Sequence, residues 1–339
     1  MASNNDMTFL VFGATGYIGG AVAVHYKKKY PSASFVAYTR SAKNVPALEK
    51  AGFKPLLSSG DPAKDDDLII AAVKAADVVL NIADSDDLHL TKTILAAFET
   101  HDRKNGLPIL IHTSGTGVLP AQPYGSFGPS AEKVYDDNNV DDIKSLAISQ
   151  PHREIDVAIF DASYKRNSIN YIIAPSAIYA PAHDNPVNKI SIQIPSLIRL
   201  AIKRRQAVYG GEGTNKWSYV HIADLADLYQ IVLEKALVDR ATGANSTTDP
   251  YERFYFGSVT EHTFGDVVKQ LGPILHARGL VDTPETTGIP VEEAPIATVM
   301  NSRSVANRSF KDGWNPKAPT WQETLEADVE AVLEHDKAS

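Results

Sequence analysis

Three glycines near the amino terminus, Gly13, Gly16 and Gly19, have the spacing of a turn that holds phosphate groups. They follow the apolar run 8–12 and precede a helical stretch at 21–30. Glycine at these places allows a tight turn, close approach of a pyrophosphate to the backbone, and close packing of the helix on the strand. Free N–H groups at the start of the helix attract phosphate oxygens. The pattern therefore predicts a dinucleotide site, with a plain glycine-rich loop as the alternative. The predicted contacts of this turn are the three glycines together with Thr15, Tyr17 and Ile18.

The end of the second predicted strand reads Tyr38-Thr39-Arg40-Ser41 and indicates which dinucleotide binds. About 20 residues beyond the glycines, an acidic side chain normally binds the ribose 2′-hydroxyl of NAD. This stretch has no carboxylate, and the planar guanidinium of Arg40 suits a 2′-phosphate. The sequence therefore predicts NADP(H) as the cofactor, with a solvated surface arginine as the alternative. Further cofactor contacts are predicted after later strands, at Asp61, Asn81, Ala83 and Pro175.

Short apolar strands alternate with amphipathic helices from residue 8 to residue 113. Strands are predicted at 8–12, 34–38, 54–57, 77–82 and 108–113, with helices at 21–30, 45–51, 64–75 and 88–101. Residues 114–150 are predicted to be loop and short helix, and the pattern resumes with a helix at 151–165 and a strand at 170–174. This alternation predicts right-handed crossovers and a parallel sheet covered on both faces. The fold class is therefore α/β, a doubly wound parallel sheet of the Rossmann type.

Beyond residue 181 the pattern is less regular, with helices predicted near 195–204, 222–238, 263–278 and 320–335. No linker rich in Gly, Ser or Pro separates the two halves. We expect an NADP-binding domain at 1–180, to which the chain returns near 215–255, and a smaller α+β substrate lobe at 181–339. The two lobes should share one cleft. The predicted substrate contacts are Tyr124, Tyr179, His183, Asn188 and Trp217.

Composition narrows the function further. The 339 residues carry a formal net charge of -8, so nucleic acid and anionic membranes are not expected partners. The absence of cysteine excludes disulfides and thiolate catalysis, and the ten histidines show no metal-binding spacing, so no metal is predicted. The sequence has no signal-peptide pattern and no apolar run of about 18 residues. We therefore expect a cytoplasmic monomer or homodimer that binds a small-molecule substrate.

The segment Gly13-Ala-Thr-Gly-Tyr-Ile-Gly19 resembles the glycine motif of the extended short-chain dehydrogenase/reductases, the group that includes nucleotide-sugar epimerases and dehydratases. The resemblance continues in the same order along nearly the whole chain. It implies a Rossmann fold, a bound NAD(P) and enzymatic activity. The other matching segments are 60–61, 77–83, 110–116, 172–181, 217–225, 304–308 and 314–316.

The catalytic pattern of that family matches less well. The family uses a Ser or Thr on the fifth strand and a Tyr-x-x-x-Lys helix, in which lysine and the cofactor ribose lower the pKa of the tyrosine for proton exchange. No tyrosine here has a lysine four residues later. The matching helix begins with His152, followed four residues on by Asp156, and an alternative alignment uses Tyr135. The candidate catalytic groups are these three and the hydroxyls that flank the expected hydroxyl position, Ser114 and Thr116.

Three interpretations of this helix remain open from the sequence. His152 could exchange a proton near neutral pH, oriented by Asp156 one helical turn away. Alternatively, His152 caps or packs the start of the helix and Asp156 is solvated. In the third interpretation a tyrosine near the substrate, Tyr124 or Tyr179, supplies the proton.

These observations favour an NADPH-dependent oxidoreductase that acts on a small carbonyl-type molecule. The first alternative is a non-catalytic NADP(H)-sensing regulator, similar to the nitrogen-metabolite-repressor-like proteins that have lost the catalytic tyrosine and lysine. The second alternative is a nucleotide-sugar epimerase or dehydratase. No clamp for a sugar-nucleotide diphosphate is apparent, although Arg199, Arg204 and Arg205 lie in the substrate lobe.

Overall fold

The computed structural model describes residues 7–338, with the backbone alone at 62, 63, 246 and 338. The strands are β1 Thr8–Phe12, β2 Ser34–Thr39, β3 Lys54–Leu57, β4 Val78–Asn81, β5 Ile109–Thr113, β6 Tyr135–Asp136, β7 Ile169–Pro175, β8 Ala177–Tyr179, β9 Val208–Gly210, β10 Lys216–His221, β11 Phe254–Gly257, β12 Thr260–Thr263, β13 Thr287–Ile289 and β14 Ser304–Val305. The helices are α1 Tyr17–Lys29, α2 Val45–Lys50, α3 Pro62–Lys74, α4 Leu88–Glu99, α5 Val140–Lys144, α6 Arg153–Tyr164, α7 Gln193–Arg204, α8 Ile222–Thr242, α9 Phe264–Ala277, α10 Asn307–Lys311 and α11 Trp321–Ala338.

Seven strands form the main sheet in the order β3, β2, β1, β4, β5, β7 and β11. Every neighbouring pair is parallel. α1 and α8 pack together on one face, while α4 packs against α3 and α6 on the other. The strand order reverses at β1 and β4, where doubly wound sheets open a crevice at their carboxyl edge. The predicted Rossmann-type sheet is confirmed.

The carboxyl-terminal half contributes to both parts of the molecule. α8 packs against α1 and β7, and β11 pairs with β7, so the chain rejoins the main sheet after residue 221. The remaining strands form short sheets, β8-β10-β12, β9-β13 and β6-β14, beside the mutually packed helices α7, α9 and α11. These elements and the loops that join them are called the smaller lobe. The division at residue 180 stays a prediction. Within the part of the chain that the structure describes, no helix is long and apolar enough to cross a membrane.

Two local features differ from the sequence prediction. α1 begins at Tyr17, directly after the glycine turn, because the glycines bring the helix start onto the end of β1. Residues 135–136 form β6, which pairs with β14 across a long stretch of sequence. That pairing was not predictable from local pattern, since neither two-residue strand has a periodicity of its own.

The glycine turn packs closely between the end of β4 and the start of α1. Gly13 has φ +88°, and a Cβ built on it would lie 2.1 Å from the carbonyl oxygen of Ile82. A Cβ on Gly19 would lie 2.2 Å from the carbonyl oxygen of Gly13. Both neighbours are backbone atoms that cannot rotate away. Only glycine at both positions lets β1, β4 and α1 come this close together.

Replacing Gly13 with alanine should destabilise the whole fold. The added Cβ combines a positive φ, which costs an ordinary residue about 1–2 kcal/mol, with a backbone clash at the end of β4. We expect the free energy of unfolding to fall by more than about 2 kcal/mol, measured by urea denaturation. Gly16→Ala is the control, because Gly16 has φ −80° and its new Cβ would meet only the Gly13 oxygen, at 3.2 Å. Equal losses in the two variants would contradict this explanation.

Candidate functional site

Two cavities lie side by side at the carboxyl edge of the main sheet. The outer cavity, of about 510 Å³, lies beyond the ends of β1, β2 and β4. The inner cavity, of about 460 Å³, lies beyond β5 and β7 and is bounded on its far side by the smaller lobe. Gly16, Ile82 and Ala83 line both cavities. The glycine turn therefore stands where the two cavities meet.

The start of α1 supplies a positive potential at this junction. Gly16 is the N-cap, and its N–H donates to the carbonyl oxygen of Gly13 at 2.8 Å. The first turn of α1 has no acidic side chain, and its last turn carries three lysines. The N–H groups of a first helical turn have no acceptor within the helix, and the helix dipole adds positive charge there. Bare backbone and this potential together fit the pyrophosphate of a dinucleotide.

The predicted contacts of the turn divide between the cavities. Gly13 and Thr15 line the outer cavity, whereas Tyr17 and Ile18 line the inner one together with Pro175. Gly19 lines neither, because it lies against the backbone of Gly13. Its contribution is to the packing of α1 on the turn.

A buried asparagine of the smaller lobe holds the turn from behind. Asn185 donates from Nδ2 to the carbonyl oxygens of Gly16, at 2.9 Å, and of Tyr17, at 3.0 Å. Gly20 leaves room for it, since a Cβ there would lie 2.3 Å from Nδ2. Nearby, the Tyr17 hydroxyl donates to the carbonyl oxygen of Ala180. Local sequence pattern does not predict these contacts, because Asn185 and the turn lie far apart along the chain.

Arg40 lines the outer cavity at the end of β2, as its position in the sequence suggested. Its side chain is exposed and forms no ion pair with any residue that the structure describes. Asp65, on α3, also lines this cavity and was not predicted. Its carboxylate accepts hydrogen bonds from Ser58 Oγ and from the backbone N–H of Ser59, at 2.5 and 2.7 Å. The bond from Ser58 is the main reason that the pKa of Asp65 is lowered.

Two predicted cofactor contacts lie outside both cavities. Asp61 faces Lys64, with 3.3 Å between Oδ2 and Nζ, and does not line the outer cavity. The acidic side chains of α3 that line this cavity are Asp65 and Asp66, about one helical turn further on. Asn81 is buried and donates from Nδ2 to Thr91 Oγ1 at 3.2 Å, so its side chain lies under α4 instead of facing the cavities. Ala83 lines both cavities as expected.

His152 lies in the wall of the inner cavity, at the N-cap of α6. Its Nδ1 donates to Asp86 Oδ1 at 2.8 Å, and the same oxygen accepts its backbone N–H at 3.1 Å. Nε2 lies against Gly115 and Gly117, where a Cβ would be only 3.3 or 3.2 Å away. Because these glycines have no side chains, they leave Nε2 open toward the inner cavity. A carboxylate on Nδ1 fixes the ring so that Nε2 can exchange a proton.

Asp156 does not orient His152, and this prediction is wrong. α6 turns the side chain of Asp156 toward the sheet, where it is completely buried. One of its oxygens lies 3.9 Å from Arg153 Nη1, and burial raises the pKa of the carboxyl to about 7. The carboxylate that orients the imidazole is Asp86, in the loop between β4 and α4. No group of three metal-ligating side chains occurs among the described residues.

The family model of the NAD dependent epimerase/dehydratase family matches residues 9–243. The chain belongs to this family. An oxidase of an Acremonium species, Oxidase ucsJ, is 25% identical, over 97% of this chain and 99% of the relative. The dTDP-D-glucose 4,6-dehydratase of Mus musculus is 24% identical, over 95% of this chain and 87% of the relative.

Solved structures agree with the family assignment. A dTDP-glucose 4,6-dehydratase from Bacillus anthracis, crystallised in complex with NAD, matches with a TM-score of 0.69 and 18% identity over 98% of each chain. A UDP-glucose 4-epimerase from Thermotoga maritima, crystallised with UDP-glucose, has a TM-score of 0.66 and 14% identity, over 97% of this chain and 99% of that one. The resemblance to extended short-chain dehydrogenase/reductases inferred from sequence is confirmed.

Two hydroxyl groups share the inner cavity with His152. Ser114 and Thr116 both line the inner cavity. The Ser114 hydroxyl is buried and interacts with the Asp156 carboxyl behind it, whereas Thr116 Oγ1 accepts from Trp217 Nε1 at 3.0 Å. Tyr135 lines neither cavity, because β6 carries it to the pairing with β14, with Lys133 Nζ 4.2 Å from its ring centre. Tyr135 is therefore not placed to exchange a proton in the inner cavity, and the alternative alignment is wrong.

The predicted substrate contacts are only partly brought together. Asn188 and Trp217 line the inner cavity. Tyr179 does not, because it is buried and its hydroxyl donates to the carbonyl oxygen of Pro319 at 2.9 Å. His183 lies at a separate cavity between α1 and α8, and Tyr124 is an exposed loop residue outside both cavities. Neither tyrosine is therefore placed to give a proton to a substrate in the inner cavity.

The hydrogen bonds from Asn185 to the glycine turn can be tested by their effect on stability. Asn185→Ala removes two hydrogen bonds to the turn, one buried and one part-buried, so the free energy of unfolding should fall by about 1–3 kcal/mol. Asp184→Ala is the control, because Asp184 forms an exposed ion pair with Lys28 and should change stability by less than about 1 kcal/mol. Urea denaturation measures both. If the two variants unfold at the same midpoint, Asn185 does not hold the turn.

Proposed function

We propose that this protein is an NADP(H)-dependent oxidoreductase that acts on a small carbonyl-type molecule in the inner cavity. The observation that carries the proposal is His152, which lines that cavity with its ring held by Asp86, next to the cavity wall formed by the glycine turn. When bound, a nicotinamide dinucleotide supplies or accepts hydride. The chain contributes the binding surface, the orientation and the proton.

The proton would pass through His152. Asp86 holds Nδ1, so that Nε2 gives a proton to a carbonyl oxygen during reduction and takes one from an alcohol during oxidation. Ser114 supports this role, since its buried hydroxyl lines the same cavity, with the Asp156 carboxyl behind it. A hydroxyl can both donate and accept, so Ser114 can hydrogen-bond the substrate oxygen as well. Asp156 lies behind the wall and takes no direct part.

Arg40 supports NADP(H) over NAD(H). Its guanidinium is exposed in the outer cavity, where it could form paired hydrogen bonds with a 2′-phosphate. The α3 carboxylates of Asp65 and Asp66 lie in the same cavity and would suit a 2′-hydroxyl instead. Ser58 and Ser59 already donate to both oxygens of Asp65, and Asp66 Oδ1 lies 2.9 Å from His89 Nε2. We therefore assign the preference to Arg40.

A second candidate function is a non-catalytic NADP(H) sensor. One observation favours it: the backbone N–H of His152 also donates to Asp86, so this contact fixes the start of α6 whether or not a proton is transferred. Both functions require NADP(H) binding, but only the oxidoreductase turns over a substrate.

Removing the arginine should remove the cofactor preference. In Arg40→Ala we expect the affinity for NADPH to fall about 10–100-fold, the value of a charge-assisted contact, while the affinity for NADH stays unchanged. Asp65→Asn is the matched variant and should leave NADPH binding nearly intact. Calorimetric titration with each cofactor measures both. The assignment fails if the unmodified protein binds NADH as tightly as NADPH, or if Asp65→Asn alone weakens binding.

The proton donor is tested by turnover. His152→Ala should slow NADPH oxidation with an accepted aldehyde or ketone by about 10²–10⁴-fold, with little change in NADPH affinity. Asp86→Asn should give a milder loss, because the imidazole keeps its place but loses the carboxylate beside it. Tyr135→Phe, outside both cavities, is the control. Full activity in His152→Ala would refute the assignment, and NADPH binding without turnover on any carbonyl compound would favour the sensor.

A further inference from the structure

The wall of the inner cavity is apolar and uncharged over most of its area. Most of its larger side chains are hydrophobic and come from α1, β8, β10 and the loops before α7 and β14, while Asn188 and Gln193 add two neutral amides. Among the residues that the structure describes, none of those lining it is Lys, Arg, Asp or Glu, and His152 is its one titratable imidazole. The hydrophobic wall consists of Ile18, Ile178, Ile190, Ile192, Trp217 and Met300.

The arginines of the smaller lobe that could have held a diphosphate are directed elsewhere. Arg199 pairs with Asp336, with 2.6 Å between Nη2 and Oδ1. Arg204 pairs with Glu293 at 3.0 Å. α7 buries its apolar side, so its basic residues lie on the opposite side of the helix.

Arg205, which follows α7, is also engaged outside the cavity. It pairs with Asp282 at 2.5 Å and donates to the carbonyl oxygen of Leu280 at 3.0 Å. None of these three arginines lines the inner cavity. A bound diphosphate would therefore find no guanidinium in this wall.

The remaining polar groups of the wall suit neutral oxygens. Burying a phosphate without a cation is strongly unfavourable, and the start of α7 offers only the partial charge of a helix dipole, about half a unit. At the end near β5, Ser114 and His152 can bind one carbonyl or hydroxyl oxygen. Trp217 already gives its N–H to Thr116, so its ring presents an apolar surface.

We propose that the substrate is an uncharged, mainly apolar carbonyl compound, or the matching alcohol, and that nucleotide-diphosphate sugars are excluded from this cavity. This inference rests on the oxidoreductase function proposed above. The carbonyl oxygen lies at Ser114 and His152, and the hydrocarbon part lies against the isoleucines, Trp217 and Met300. Specificity comes from apolar burial and from the lack of a cation for any charged group.

A pair of probes that differ mainly in charge tests this inference. 4-Isopropylbenzyl alcohol and 4-carboxybenzyl alcohol are added separately to the NADP⁺-saturated protein, with UDP-glucose as the nucleotide-sugar probe, and binding is measured by calorimetry. We expect the isopropyl compound to bind at least about tenfold more tightly than the carboxylate, and UDP-glucose not to bind. Equal or tighter binding of the carboxylate, binding of UDP-glucose, or no binding of the isopropyl compound would overturn the inference.

A charge placed in the wall should reverse the preference. Met300→Lys puts an ammonium group into the inner cavity, so the carboxylate should gain affinity and the isopropyl compound should lose it. Met300→Leu is the uncharged control and should keep the original order. An unchanged order in Met300→Lys, with NADP⁺ affinity and melting temperature intact, would show that the probes bind elsewhere and overturn the assignment of this wall.

Failure of this inference can be told apart from failure of the proposed function. Binding of the isopropyl compound without oxidation by NADP⁺ supports the substrate class and contradicts the oxidoreductase. Turnover of the carboxylate with NADP⁺ supports the oxidoreductase and contradicts the substrate class. NADP⁺ affinity, measured first, shows that the cofactor site is occupied in every comparison.

Discussion

The approach of Gly13 to the end of β4 is the constraint on which the rest of the site depends. The backbone of the turn lies so close to the carbonyl group of Ile82 that no side chain fits between them. Because Gly19 is equally close to Gly13, α1 starts directly over the carboxyl edge of the sheet. This places Gly16 and the end of β4 at the boundary of two cavities and directs the positive end of α1 toward both. A dinucleotide site follows from backbone packing before any charged side chain is considered.

The smaller lobe is built onto the same turn. Asn185 binds the carbonyl groups of Gly16 and Tyr17 from behind, and the Tyr17 hydroxyl binds the segment that begins at Ala180. This segment continues into Asn188 and then Ile190, which line the inner cavity. The wall that would contact the substrate is thus hydrogen-bonded to the turn that would contact the cofactor. A displacement of the turn would move the substrate wall with it.

Local sequence pattern was enough for the sheet and for the glycine turn, because both depend on residues that are close together in the chain. Apolar runs separated by amphipathic helices specify parallel strands, and strand ends specify the ligand edge. The turn also led to Arg40, since the end of β2 lies beside it. Pattern failed where the decisive partner comes from elsewhere in the chain. Asp86 comes from another loop to meet His152, and β14 carries Tyr135 away through a pairing of distant segments.

The error over Asp156 has a physical cause that also bears on the chemistry. Residues four apart share a helix face, but here that face turns Asp156 into the space between α6 and the sheet, where it is fully buried. His112 lies on the same side of the sheet, and burial lowers its pKa to about 3, so its imidazole is neutral at physiological pH. Burial also raises the pKa of Asp156 to about 7, which weakens its anionic form as a partner for a histidine. Asp86, in contrast, is more than half exposed, and its Oδ1 accepts from both the ring and the backbone N–H of His152. The chain therefore orients His152 from its solvent side and not from within the helix.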